Sequence, residues 1–265
     1  MTTFTSRLLG SSLLATSIAL ASSLVTANAA QALTINFDST STSTNDPATG
    51  ASAQVDFDFV DVAGGVQLDL TLLNTTGQLG TSFGLGATES EFVAFGFDVS
   101  DSISSYTYDS LSSPFTRLFG DRSLNPTVEG SAVISGAGGS NVFDIGIRVA
   151  NAKGNLTAGG FQGGSPSAGL NSGESAQVSF FLNTSDNAQA VEQAFANLFN
   201  GEEFRAVARF QNVNAGEGSD KLLVNRISNG DPDDNGDVSV PEPGTLAGLA
   251  LIGGSLAAAR RRKSC

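Results

Sequence analysis

Apolar and polar residues alternate with period two through the first half of the chain. In Val55-Asp56-Phe57-Asp58-Phe59 and in Val66-Gln67-Leu68-Asp69-Leu70-Thr71-Leu72, this alternation places one face of each segment in a core and the other in water. Ala63-Gly64-Gly65 lies between them. A glycine pair can take the positive φ of a tight turn, so the two runs predict an antiparallel β-hairpin.

Further strands are predicted over Leu33 to Phe37, Glu91 to Val99, Ser105 to Tyr108, Ser131 to Ile134, Asn141 to Val149, Ser175 to Leu182, Phe204 to Val213 and Lys221 to Ile227. Many short strands parted by Gly, Ser, Asn and Asp indicate a mainly β fold, an antiparallel β-sandwich of jelly-roll-like kind. Phenylalanine supplies the aromatic mass, with 18 Phe against two Tyr and no Trp. Those rings are expected in the core, because sugar-binding platforms favour Trp and Tyr faces.

One segment departs from period two. Val191, Ala194, Phe195, Leu198 and Phe199 recur at spacings of three and four, which predicts a short amphipathic helix from Asp186 to Phe199. Ser185 or Asp186 would cap it and Asn200-Gly201 would end it. Its apolar stripe is expected to pack on the sandwich. The Gly/Ser-rich stretch from Gly159 to Gly173 is expected to be a mobile loop.

The two ends follow other rules. Arg7, an apolar stretch from Leu8 to Val25, and the A-x-A sites Ala27-Asn28-Ala29 and Ala30-Gln31-Ala32 predict a secretory signal peptide over residues 1–32. At the other end an uncharged run from Gly244 to Ala259 precedes Arg260-Arg261-Arg262-Lys263. As a helix the run would reach roughly 24 Å, slightly short for a permanent span. The four cations would hold their end in the cytoplasm, as a stop-transfer signal does. A body over 33–228 and an acidic linker over 229–240 lie between these segments.

The tail, Val240-Pro241-Glu242-Pro243-Gly244-Thr245 followed by the apolar helix and the RRRK end, resembles that of the bacterial PEP-CTERM proteins. The resemblance covers residues 241–265. It implies a sorting motif at Pro241, Glu242 and Pro243, a transient stay in the inner membrane, and reading and cutting by an exosortase-type membrane protease. Delivery to the cell surface or the extracellular matrix would follow. It implies nothing about the chemistry of the body.

All 26 acidic residues fall between Leu33 and Glu242 with eight basic ones, so the exported part carries a charge of about −18. Phosphate binding needs Lys and Arg to displace counterions, so nucleic acid is excluded as a partner. The single cysteine, Cys265, lies behind the apolar run, leaving the body without disulfides or a thiol nucleophile. Lipidation there is disfavoured because the C-terminus is no C-a-a-X box. With no histidine in the chain, the usual general base and transition-metal ligand are absent. Gly80-Thr81-Ser82-Phe83-Gly84 matches a nucleophile elbow, but no histidine exists to activate Ser82. Asn74, Asn155 and Asn183 open N-x-[ST] patterns; with a bacterial sorting tail they are read as loop or turn residues.

Residues 231–242 fit the calcium-loop pattern, with Asp231, Asp233, Asn235, the Asp237 carbonyl and Glu242 as ligands and Gly236 at the sharp turn. Against that reading, no helical periodicity flanks the segment, Pro232 and Pro241 stiffen it, and Glu242 belongs to the sorting motif. An extended acidic spacer that keeps the motif accessible is favoured. The expectation is a non-enzymatic surface or matrix protein without a cofactor, structural or adhesive in an extracellular polysaccharide. The alternatives are a glycan- or calcium-dependent binding module and a carboxylate-based glycosidase.

Overall fold

The computed structural model describes residues 33–78, 83–136, 139–150, 160–199, 201 and 203–225. The expected hairpin forms from β3 (Ala53–Val62) and β4 (Gly65–Asn74). Val62 pairs with Gly65, so Ala63-Gly64 is the whole loop, and Gly64 supplies the positive φ of 89°. Gly65 serves differently from the expectation. A Cβ there would stand 2.2 Å from the Leu182 carbonyl oxygen, so its lack of a side chain admits the neighbouring strand.

The other strands are β1 (Leu33–Phe37), β2 (Thr42–Ser43), β5 (Glu91–Phe97), β6 (Ser105–Asp109), β7 (Arg117–Gly120), β8 (Ala132–Gly136), β9 (Gly139–Phe143), β10 (Ile145–Arg148), β11 (Leu170–Asn171), β12 (Ser175–Asn183), β13 (Ala206–Gln211) and β14 (Ser219–Val224). Two antiparallel sheets form the sandwich. The first runs β1-β3-β4-β12-β6, and the second β2-β14-β13-β5-β10-β7 with β11 added beside β5. The pairs β5–β13, β6–β12 and β7–β10 nest inside one another and fall alternately in the two sheets. That is the winding of a long hairpin rolled across both layers, the jelly-roll-like element of the fold.

The segment expected as one strand from Asn141 to Val149 is two. At Asp144 the chain leaves the β8–β9 ribbon and enters the second sheet. The Asp144 amide donates to the Asp98 carboxylate instead of to a strand neighbour. The ribbon then lies over the outer face of that sheet, where Ala132, Ile134 and Phe143 join Ala94, Phe119, Phe161, Val207 and Leu223 in a second, smaller core. Gly96 and Gly146, opposite each other on β5 and β10, leave the hollow that Phe161 fills. A Cβ on Gly146 would stand 2.8 Å from that ring.

Phe161 also corrects the expectation of a mobile loop. Residues 160–173 bury this ring, form a 3-10 turn at Pro166–Ala168 and contribute β11 to the second sheet. Gly159, where the expected loop begins, lies outside the described residues. The helix α1 spans Ala188–Leu198 and is capped by Asn187, whose side chain accepts from the Ala190 amide at 2.8 Å. Ser185 and Asp186 do not cap it; a second acceptor, Asp61 on β3, takes the Ala188 amide at 2.6 Å. The helix ends with Phe199 as its C-cap, one residue before the expected stop, and Asn200 lies outside the described residues.

The main core is aromatic, as expected. Phe57 and Phe180 of the first sheet meet Phe97 of the second edge-to-face at 5.5 and 5.8 Å, and Phe195 of α1 closes one end at 5.1 Å from Phe59. Asn74 is wholly buried, its side-chain amide donating to the carbonyls of Ser90 and Leu170 at 2.9 and 2.8 Å. It is thus a strand-end tie instead of a turn residue, and Asn183 is the last residue of β12. Phe97→Ala should cost about 3–5 kcal/mol in urea unfolding, whereas Val142→Ala, on an exposed side chain, should stay within about 0.5 kcal/mol. Equal small losses would place the stabilising core elsewhere.

Candidate functional site: a polar groove and a carboxylate clasp

The outer face of the first sheet carries a groove of about 300 Å³. It is built by the same alternation that buries the phenylalanines: while Phe57 and Phe59 turn inward, Asp56 and Asp58 turn outward. Register adds what sequence spacing does not show. Asp58 lies directly opposite Asp69, and Asp56 opposite Thr71, which in turn pairs with Gln177 of β12. Asp56 and Asp69 are supplied with donors. Gln67 Nε2 reaches both Asp69 oxygens at 3.0 and 2.9 Å, Gln54 Nε2 reaches both Asp56 oxygens at 2.9 and 3.1 Å, and the Thr34 hydroxyl donates to Asp56 at 2.7 Å. Leu111, half exposed at 53% and held at a φ of 50°, forms an apolar lip. Carboxylate acceptors, amide donors and hydroxyls in one shallow groove match the hydrogen-bonding demands of a polyol such as a sugar.

A second group of carboxylates sits where β5, β10 and β13 meet. Asp98, 8% exposed, accepts from Arg205 Nη1 at 3.1 Å and from the Asp144 amide at 3.2 Å, while Asp144 accepts from the Val99 amide at 3.0 Å. Arg205 also pairs with Glu203 at 2.7 Å. Burial pushes the Asp98 carboxyl up to about 6. The Arg205 hydrogen bond opposes that rise and the Asp144 charge adds to it. Burial likewise raises Asp144. The neighbouring Tyr106 phenol is raised by burial and by the charges of Asp144 and Asp121. Both Asp98 oxygens and Asp144 Oδ2 are engaged with the backbone or with Arg205, so the geometry clasps three strand ends together.

The sorting residues Pro241, Glu242 and Pro243, the basic end Arg260, Arg261, Arg262 and Lys263, and the calcium-pattern residues Asp231, Asp233, Asn235, Asp237 and Glu242 all lie outside the described residues. So do Gly80, Thr81, Ser82 and Asn155. Among the described residues, no group of three or more acidic or cysteine side chains is gathered closely enough to hold a metal ion. Among the same residues, no helix is long and apolar enough to cross a membrane. The groove was half legible: alternation put its aspartates outside, but only register brings Asp58 to Asp69.

The sequence model of the PEP-CTERM protein-sorting motif matches residues 239–263. No curated protein and no solved structure matches the chain. The tail is therefore a PEP-CTERM sorting signal, and the chain is an exported precursor whose membrane-anchoring tail is cut by an exosortase for delivery to the cell surface.

The Asp98 shift has a testable sign. A carboxyl with a higher pKa in the folded state binds its proton better there, so it stabilises the fold on acidification. That contribution is full below the unfolded value near 3.8 and lost as pH rises through about 6. The difference in unfolding free energy between wild type and Asp98→Asn should therefore shift in favour of wild type by up to about 3 kcal/mol between pH 7 and pH 4. A difference independent of pH would contradict it.

Proposed function

We propose that the body is a non-enzymatic structural or adhesive component of the extracellular polysaccharide matrix and works without a cofactor. The observation that carries this reading is the sorting motif at residues 239–263, which follows a body built around a phenylalanine core. The chain has no histidine, and its one cysteine is in the tail. The perturbed carboxylates support the reading too, because they are spent on strand ends and on Arg205. The acidic segment 231–242 is assigned as a spacer that presents Pro241-Glu242-Pro243 to the protease.

The groove on the first sheet favours a second reading, a glycan-binding module of the same fold. Gln67 and Asp69 are paired along β4 with Asp58 facing Asp69 from β3, so a sugar would exchange hydrogen bonds with Gln67 and Asp69 and donate to Asp58. Calcium dependence, if present, falls to the 231–242 segment.

Two measurements test these readings. In the native host, loss of the gene should lower the polysaccharide retained on cells under shear. The complete chain should restore it, and a chain lacking residues 241–265 should not; unchanged retention without the gene would remove the matrix role. On a glycan array, Asp58→Asn with Asp69→Asn should weaken binding about tenfold or more, the loss expected of charged hydrogen bonds. Binding that survives this change but vanishes with chelator would move the site to the acidic segment, and release of reducing sugar would replace both readings by a glycosidase.

A further inference from the structure

Strand register gathers cations that the sequence keeps far apart. Arg117 on β7 lies opposite Arg148 on β10, Arg148 opposite Ala94 on β5, Ala94 opposite Arg209 on β13, and Arg209 opposite Lys221 on β14. One row across five strands thus holds four of the 13 basic residues of a chain whose formal charge is −13. Register partners share a face, here the outer face of the second sheet beneath the β8–β9 ribbon. The Arg148 guanidinium lies 5.0 Å from the centre of the Phe119 ring on that face.

The two ends of the row differ. At one end Arg117 forms an ion pair with Glu129. At the other the acceptors are neutral. Arg209 Nη1 donates to the Gly163 carbonyl at 2.7 Å, and the Gln211 side-chain oxygen accepts from Arg209 Nη2 and Nη1 at 2.6 and 2.8 Å with its amide turned to satisfy both of its ends. Lys221 Nζ donates to the Ser135 carbonyl at 2.8 Å and to Gln162 Oε1 at 3.2 Å, so an arriving anion displaces only neutral oxygens. Asp220, beside Lys221 in sequence, points to the opposite face, where it accepts from Ser43 and Thr49. Carbonyl and amide oxygens satisfy N–H bonds without cancelling charge. Two like charges directly opposite on neighbouring strands repel. Consistent with this, burial and the Arg148 charge push Arg209 down to about 10, and burial and the Arg209 charge lower Lys221, with Asp220 opposing. Arg209 Nε is also buried with no hydrogen-bond partner among the described residues.

We propose that the Arg209–Lys221 end of this row is a binding site for an oxyanion, a carboxylate or a sulfate group. An anion there would meet a planar guanidinium and an ammonium with a free proton, in a layer where partial burial strengthens each charge. Arg148 adds to the potential from two strands away. The strongly acidic body repels a densely charged polymer, so the oxyanion is either free or borne sparsely on a largely neutral chain. The site stands independently of the matrix role.

The test uses the full-length chain in detergent at low salt, titrated with sodium sulfate, sodium glucuronate, gellan (one glucuronate among neutral sugars in each repeat) and neutral dextran. Wild type should bind sulfate or glucuronate. Lys221→Gln and Arg209→Gln should each weaken that binding about tenfold or more, with Arg209→Lys restoring part of it and Asp58→Asn/Asp69→Asn leaving it unchanged. Lys221→Gln carries the test if Arg209→Gln does not fold. Gellan bound more tightly than glucuronate identifies a polymer-borne anion, and equal affinity a free one; both support the site. Anion binding indifferent to Lys221→Gln, or none at all, overturns it. No sulfate or glucuronate bound, with gellan and dextran bound alike and lost only with the Asp58/Asp69 pair, would overturn it while leaving the polysaccharide reading intact. Sulfate binding lost in Lys221→Gln with no polysaccharide bound would keep the site and count against that reading.

Discussion

Edge-to-face packing of phenylalanine between the two sheets is the constraint on which the structure depends. Phe57 and Phe180 from one layer grip Phe97 from the other, and Phe195 of the helix seals an end of the same cluster. With its one cysteine in the tail, the body has no disulfide to hold it. Cohesion must come from buried apolar area, and large rings supply much of that per residue. Alternation then follows as a consequence, since each inward Phe on β3 commits its neighbours Asp56 and Asp58 to water.

That commitment divides the chemistry of the molecule between two faces. The first sheet shows carboxylates, amides and hydroxyls in a shallow groove, while the second sheet keeps a row of cations beneath the β8–β9 ribbon. The ribbon ends where the chain enters the second sheet at Asp144, and the Asp98–Arg205 clasp fixes that entry point. A protein delivered to the cell surface by its tail would thus present two chemically distinct sides, one suited to neutral hydroxyls and one to single anionic groups.

Much of the fold was legible in the sequence because one physical signal, period-two hydrophobicity, is strong in β3, β4 and β12. The helix was legible for the same reason at period 3.6, although its cap was misplaced by one residue because Asn187 and the distant Asp61 share the first turn. What escaped was governed by tertiary contact. The short β7 and β11 carry too few residues to show a period, and the break at Asp144 depends on a carboxylate 46 residues away. The Gly-rich loop looked featureless until Phe161 found the hollow made by Gly96 and Gly146. Both sheet faces escaped for one reason: they are defined by register, and register sets Asp58 against Asp69 and Arg209 against Lys221 without any trace in local spacing. The tail needed no fold to be read, because its signal is linear.

The central claim is that this sandwich is cargo released by its sorting tail. Intact-mass measurement of the protein recovered from the surface of its native host, beside a Pro241→Ala/Glu242→Ala/Pro243→Ala variant, tests it most directly. Surface protein whose mass lacks the segment beyond the Pro-Glu-Pro motif, with the variant retained uncut in the membrane fraction, is the predicted result. A surface or membrane form of wild type that keeps Arg260 to Lys263 would contradict the account and leave a plain membrane-anchored domain.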